Sequence, residues 1–319
     1  MRIVGAVLDG GTRVADLSPD GESLTVVAGL REFWADPESW LTRPPAGETV
    51  PVGEARLVPP VLPEAQVLCI GLNYLEHAAE GSYRAQKLPQ HPTLFARWTR
   101  SLTVGGADIP VPAAEDGLDW EGEIVAWVGR TLVDADPREA LAAVVGYSTF
   151  NDITARRAQK LTSQWTLGKN ADRSGPLGPL IPADEVGDLR DGLRVRTRVN
   201  GATVQDASTS DMIHHVGETL AHISRTVTLH PGDLLATGTP SGVGYARTPP
   251  WLLVPGDVVE VDVERLGTLC NTIVGNERRR NPLSRRTAPS EMWKQARSTT
   301  LTDPEWGEHR SAPGRKIVE

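Results

Sequence analysis

Short apolar runs and two-residue alternation dominate this chain, and both point to strands. Arg2-Ile-Val-Gly-Ala-Val-Leu8 reads as a first strand, Asp9-Gly-Gly as a turn and Ser23-Leu-Thr-Val-Val27 as a second strand. A short helix is expected over 30–41, and Pro44-Pro45 and Pro59-Pro60 punctuate the end of a small β-rich region, 1–62. A larger region, 63–275, opens with Val67-Leu-Cys-Ile70, an apolar run short enough for a buried strand. Further strands are expected at 94–97, 122–128, 145–151, 193–199, 233–237, 257–263 and 267–274. Asn200-Gly201 between Val199 and Ala202 predicts a two-residue hairpin. Ser208-Thr-Ser-Asp211 resembles a capping box, and Ile213, Val216, Leu220 and Ile223 follow at helical spacing. Beyond residue 275 periodicity fades into Arg, Ser, Thr and Pro, which predicts a basic, extended tail over 276–319.

Composition narrows the function classes. No run of eighteen apolar residues occurs, so no membrane span is expected. No basic segment followed by an apolar run precedes the first strand, so the expected location is the cytoplasm. The formal net charge of −8 argues against a general nucleic-acid binder. It is unevenly spread: from Gly275 on, ten Lys/Arg face six Asp/Glu, leaving that tail at +4 and the remainder at −12. Two isolated cysteines, Cys69 and Cys270, form neither a disulfide framework nor a zinc cluster. Both read as buried small hydrophobes.

Five segments carry possible chemistry. In Asp119-Trp-Glu121-Gly-Glu123 the two glutamates are two apart on a strand, so both carboxylates share a face beside an apolar run. Such a pair is costly there unless a cation lies between them, although a solvent-facing strand edge would also explain it. Asp152 ends another strand. It is either a third oxygen ligand for a hard divalent ion or a cap for the following helix, on which Arg156 and Gln159 share a face. In Gly71-Leu-Asn73-Tyr74-Leu-Glu-His77-Ala-Ala-Glu80, Asn73 is placed to cap a short helix. That helix puts His77 and Glu80 three apart, the spacing of either a general base or a surface contact. Lys169 lies in a Gly/Pro-rich stretch where it either stays solvated or neutralises a developing oxyanion. Ala236-Thr-Gly-Thr239-Pro-Ser-Gly-Val-Gly244 lacks the Gly-Lys-Ser/Thr of a phosphate loop but presents hydroxyls and backbone N–H groups to a carboxylate.

In this order the five segments resemble the fumarylacetoacetate hydrolase family over roughly residues 66–274. The resemblance implies an α+β, mostly β fold, a mixed β-roll, usually homodimeric, with one Mg²⁺ or Mn²⁺ per subunit (Ca²⁺ being a possible substitute in crystals). It assigns the metal to Glu121, Glu123 and Asp152, catalysis to His77, Glu80 and Lys169, and substrate contacts to Arg156, Gln159, Thr239, Tyr74 and Arg97. Residues 75–92 are expected to form a lid. Phe95-Ala-Arg97-Trp98 departs from the Phe-x-Lys-Pro of many members, so a different group is expected to face the substrate. The implied activity is hydrolysis of a carbon–carbon bond in a 2,4-dioxo acid of the acylpyruvate type, through a metal-bound enolate, in the catabolism of aromatic compounds. The alternative is a lyase or isomerase on a related 2-oxo acid: an oxaloacetate decarboxylase or a 2-hydroxymuconate-type isomerase or hydratase.

Overall fold

The computed structural model describes residues 1–80 and 90–276. The expected tail, apart from its first residue, and the 81–89 part of the expected lid fall outside the described residues. The fold is mostly β with few helices, as the apolar patterning indicates. Each strand expected in the larger region forms. The chief additions are the short strands Leu102–Val104, Gly175–Leu177 and Ile181–Pro182, too brief to show a period.

The main curled sheet is ordered Leu94–Arg97, Val67–Ile70, Leu234–Ala236, Gly122–Val128, Val144–Asn151, Gly175–Leu177, Leu102–Val104. Its two central strands are buried along their whole length, which is why neither alternates: Ile124–Val128 is a continuous apolar run, and Val144–Asn151 buries Ser148, Thr149 and Asn151 along with its apolar residues. The sheet is mixed: Leu234–Ala236 runs parallel to Val67–Ile70 and antiparallel to Gly122–Val128. A second sheet, ordered Ala202–Ser208, Arg194–Val199, Val258–Val263, Gly267–Val274, Ile109–Pro110, packs against it. Its hairpin turns at Asn200 (φ 49°) and Gly201 (φ 81°), the doubly positive pair that a tight two-residue turn requires.

The N-terminal strands form a third sheet, ordered Thr49–Pro51, Ser23–Gly29, Gly11–Leu17, Ile3–Leu8, Arg56–Val58. Ile3 exchanges both backbone hydrogen bonds with Leu180, at 2.9 and 2.8 Å, and Trp34 stacks on Trp127 with centroids 5.4 Å apart. Trp127 is fully buried, and its Nε1 donates to Ser148 Oγ at 2.8 Å. Trp127→Ala therefore removes an aromatic from the joint between the N-terminal region and the main sheet and takes one of two partners from the Ser148 hydroxyl, which keeps its bond to the Pro179 carbonyl. The expected loss is about 3–5 kcal/mol in denaturant unfolding. A loss under about 1 kcal/mol, the range of ordinary surface substitutions, would show that this joint contributes little.

Four local expectations are corrected. The helix expected over 30–41 breaks in two, Leu30–Ala35 and Pro37–Leu41, because Pro37 starts a new helix that Asp36 caps through Ser39 N–H. The Ser208 box does form, but it closes a single turn, Thr209–Asp211, and the helix proper is Val216–Ser224. Between them Asn73 holds the chain extended. Its carbonyl accepts from Ile213 N, its Oδ1 from His214 N, and its Nδ2 donates to the His214 and Thr237 carbonyls. Asn73 is thereby a long-range tie and caps no helix. Finally, Cys69 is buried, but Cys270 sits on the outward register of its alternating strand and is exposed.

Candidate active site

The register of the two central strands builds the acidic cluster. Gly122 pairs with Asn151, so Glu121 and Asp152 flank one rung and the Asp152 N–H donates to the Glu121 carbonyl at 2.9 Å. Glu123, two residues on, faces the same side as Glu121. The three carboxylates offer oxygens that all lie within 4.8 Å of one another, and all three residues are buried. Asp152 caps no helix: Arg156–Gln159 has Ala155 at its N-cap, without a side-chain cap bond.

Cations reach two of the three carboxylates. Lys169, at the end of the short helix Thr166–Lys169, puts Nζ 2.5 Å from Glu121 Oε2 and 2.6 Å from Asp152 Oδ2. That helix lies tightly on Arg156–Gln159, where a Cβ on Gly168 would come within 2.4 Å of Gln159 Cβ. Arg97 donates through Nη1 to Asp152 Oδ1 and through Nη2 to Ser174 Oγ at 2.5 Å. Arg156 bridges Asp119 (Nε, 2.7 Å) and Glu121 (Nη2, 2.6 Å), and its Nη1 donates to Gln159 Oε1 at 3.0 Å. Glu123 meets no cation within ion-pair distance among the described residues; it accepts from Gly238 N–H at 3.0 Å.

The electrostatics follow. Burial alone would raise the Glu121 carboxyl, but Lys169 and Arg156 outweigh it and hold it down at about 2. Burial, then Asp152 and Glu121, push Glu123 well above the usual carboxylate range. Burial works against the Lys169 charge, yet Asp152 and Glu121 keep its pKa above the usual value. One buried carboxylate is thus left short of positive charge inside an all-oxygen cage. That donor set suits a hard divalent ion of the Mg²⁺ or Mn²⁺ type.

His77, on the short helix Leu75–Glu80, lines the same cavity as Glu121 of this cage, while its partner Glu80 stands off that lining. His77 Nδ1 lies 3.6 Å from Glu80 Oε2, and both Glu80 oxygens accept from Gly242 N–H at 2.8 and 2.9 Å. Burial works to raise the Glu80 carboxyl, but the His77 and Gly242 contacts bring it below its usual value. The cavity, of about 420 Å³, is lined by His77, Glu121, Arg156, Gln159 and Lys169 among others. Thr239 and Tyr74 stand off this lining. The Thr239 hydroxyl donates to the Gly122 carbonyl at 3.0 Å and accepts from Gln205 at 2.9 Å, behind the cage. Tyr74 is buried and bridges to Met212, and burial raises its phenol.

Asp119 has a part that strand alternation does not reveal. It is fully buried and accepts from Gly244 N–H (2.7 Å), Tyr245 N–H (3.1 Å) and Arg156. It therefore fixes the loop over the cavity and the guanidinium beside Glu121 at once. Its place in Asp119-Trp-Glu-Gly-Glu was the available signal.

The family model described as fumarylacetoacetate (FAA) hydrolase C-terminal matches residues 66–274. The oxaloacetate tautomerase YisK of Bacillus subtilis is 38% identical over 225 residues, 70% of this chain and 74% of that protein. The structure of a 2-hydroxyhepta-2,4-diene-1,7-dioate isomerase from Mycobacterium marinum matches with a TM-score of 0.70 at 33% identity, over 86% of this chain and 99% of that one. A fumarylpyruvate hydrolase from Pseudomonas aeruginosa, in complex with Mn²⁺ and pyruvate, matches with a TM-score of 0.60 at 30% identity, over 69% and 92%.

Proposed function

Since the chain belongs to the fumarylacetoacetate hydrolase family, we propose that it is a divalent-metal-dependent enzyme that interconverts the keto and enol forms of an oxaloacetate-like 2-oxo acid. The observation that supports this reading is one cavity lined by both His77, which pairs with Glu80, and Glu121 of a carboxylate cage short of positive charge. Glu121, Glu123 and Asp152 would hold the ion, which when bound supplies Lewis-acid polarisation of the substrate oxygens.

The chain's own groups do the rest. With Nδ1 turned toward Glu80, His77 keeps Nε2 for the substrate. It takes the proton from C3, the C–H pair becomes the C2–C3 double bond, the C2–O π pair moves onto the 2-oxo oxygen, and that oxygen takes the proton back from the imidazolium, which restores neutral His77. Carbon bonds stay intact, and nothing is oxidised or reduced. Glu80, held by Gly242, stabilises the transient imidazolium. Lys169 offsets negative charge developing on the 2-oxo oxygen. Arg156, fixed by Asp119 and Gln159, orients the carboxylate end. Thr239 and Tyr74 support the cage from behind. Arg97 holds Asp152 in place.

The tautomerase named among the relatives supports this choice. Hydrolysis of an acylpyruvate, the activity the sequence favours, is the second reading. A His–Glu base activates water as readily as it moves a C3 proton, and the Pseudomonas relative is a hydrolase. The test is a substrate pair with Mg²⁺: decay of enol absorbance for oxaloacetate, and pyruvate release from 2,4-dioxovalerate. Oxaloacetate should tautomerise at least about a hundredfold faster than the dioxo acid is cleaved, a margin of about 2.7 kcal/mol in barrier height. Faster cleavage would move the assignment to the hydrolase.

A further inference from the structure

We infer that Lys160 is a specificity-determining residue that receives the second carboxylate of a dicarboxylic 2-oxo acid. The inference rests on the reading of the cavity as a 2-oxo acid site, and it concerns the end of the substrate that the cage does not hold.

The charge pattern of the cavity wall points there. Lys169 is matched by Glu121 and Asp152, Arg156 by Asp119 and Glu121, and His77 by Glu80. Lys160 also lines the cavity, yet it meets no carboxylate within ion-pair distance among the described residues. Among the described residues it is the cation of this wall without a carboxylate partner, and an unmatched charge in a concave site raises the local concentration of anions.

Lys160 is exposed, and two contacts set its direction. Lys160 closes the helix Arg156–Gln159, with its N–H donating to the Arg156 carbonyl at 3.3 Å. Its Nζ lies 3.2 Å from the centroid of the Tyr245 ring, whose other cationic neighbour is Arg156 at 5.8 Å. Tyr245 is itself anchored by its N–H on Asp119. The ring faces the ammonium but neutralises none of its charge, so the donors of Lys160 stay available at the mouth of the cavity. The long stem keeps the group on the same wall as Arg156 and Gln159. A small dicarboxylate held at one end by the cage then meets a cation at the other. That contact is a charge-assisted hydrogen bond formed only with the dicarboxylate.

The test is calorimetric binding of three ligands to the Mg²⁺-loaded protein: freshly dissolved oxaloacetate, pyruvate and oxalate. Oxalate carries the same charge as oxaloacetate but is too short to leave the cage, so it separates contact from long-range attraction. In Lys160→Met the oxaloacetate affinity should fall by about ten- to a hundredfold, with pyruvate and oxalate unchanged. Lys160→Arg should restore it. Arg157→Met, at an exposed cation on the preceding turn but off the cavity lining, should leave all three alone. An equal loss for oxalate, an equal effect of Arg157→Met, or no preference of the wild-type protein for oxaloacetate over pyruvate would overturn the assignment. If the preference depends on Lys160 but oxaloacetate is not tautomerised, Lys160 stands as the anion reader and the proposed reaction falls.

Discussion

Glu123→Gln should abolish turnover and divalent-metal binding, yet raise the thermal stability of the metal-free protein. The two effects have one cause. Glu123 is 2% exposed, faces Asp152 and Glu121, and among the described residues is offset by a backbone N–H and the more distant Lys169. With a divalent ion bound, that negative charge is a ligand. Without one it is a buried like charge, which glutamine removes while keeping an oxygen for the Gly238 N–H. Turnover should drop about a thousandfold or more, since several kcal/mol of charge stabilisation are lost with the ion. Chelation of the wild-type protein should give the same loss, reversed by Mn²⁺ or Mg²⁺, whereas the variant should not recover.

The pH dependence has a definite sign. A carboxyl whose folded pKa is raised gives stability below its unfolded value, near 4.5 here, and loses it as pH rises through the folded value. Metal-free wild-type protein should therefore lose this contribution above the ordinary glutamate range, and Glu123→Gln should not. Glu121 works in the other window: its carboxyl is held at about 2, so its contribution is lost only as pH falls toward that value. Melting curves with and without chelator measure both. A metal-free variant that melts below wild type at neutral pH would show that Glu123 is satisfied without an ion.

His77→Ala should lower turnover by about a hundred- to ten-thousand-fold while leaving metal affinity nearly intact, because His77 faces the cage without belonging to it. Glu80→Gln should cost less. The amide still accepts from Gly242 N–H but no longer stabilises an imidazolium. The double variant should resemble His77→Ala, since the pair acts as one unit. Steady-state rates with saturating Mg²⁺ decide this. Rates of His77→Ala within a few-fold of wild type would make the pair a surface contact and leave proton transfer without a base.

Part of this site is legible in the chain because the relevant spacings are local. Glu121 and Glu123 share a face by strand alternation, and His77 and Glu80 share one by helical spacing. The Asn200-Gly201 hairpin is equally local. What escapes is set by contacts distant in sequence. Asn73 is well placed to cap a helix, but its side chain is taken by His214 and Thr237, about 140 and 160 positions away. Asp119 and Arg156 are separated by 37 positions, and strand pairing brings them together. Thr239 lies in a segment read as presenting hydroxyls, and its own hydroxyl is engaged far along the chain, donating to the Gly122 carbonyl and accepting from Gln205. Cys270 fails for a plainer reason: a thiol on an alternating strand is buried or exposed according to register, and its neighbours Leu269 and Asn271 do not fix that alone.

The most direct measurement is carbon-13 NMR of labelled oxaloacetate in D₂O with Mg²⁺, followed with and without the protein. The proposed chemistry predicts that the protein accelerates deuterium entry at C3 over Mg²⁺ alone, with the four-carbon skeleton intact and no matching rise in pyruvate. Labelled pyruvate and carbon dioxide appearing as fast as deuterium enters, or deuterium entry no faster than with Mg²⁺ alone, would contradict it.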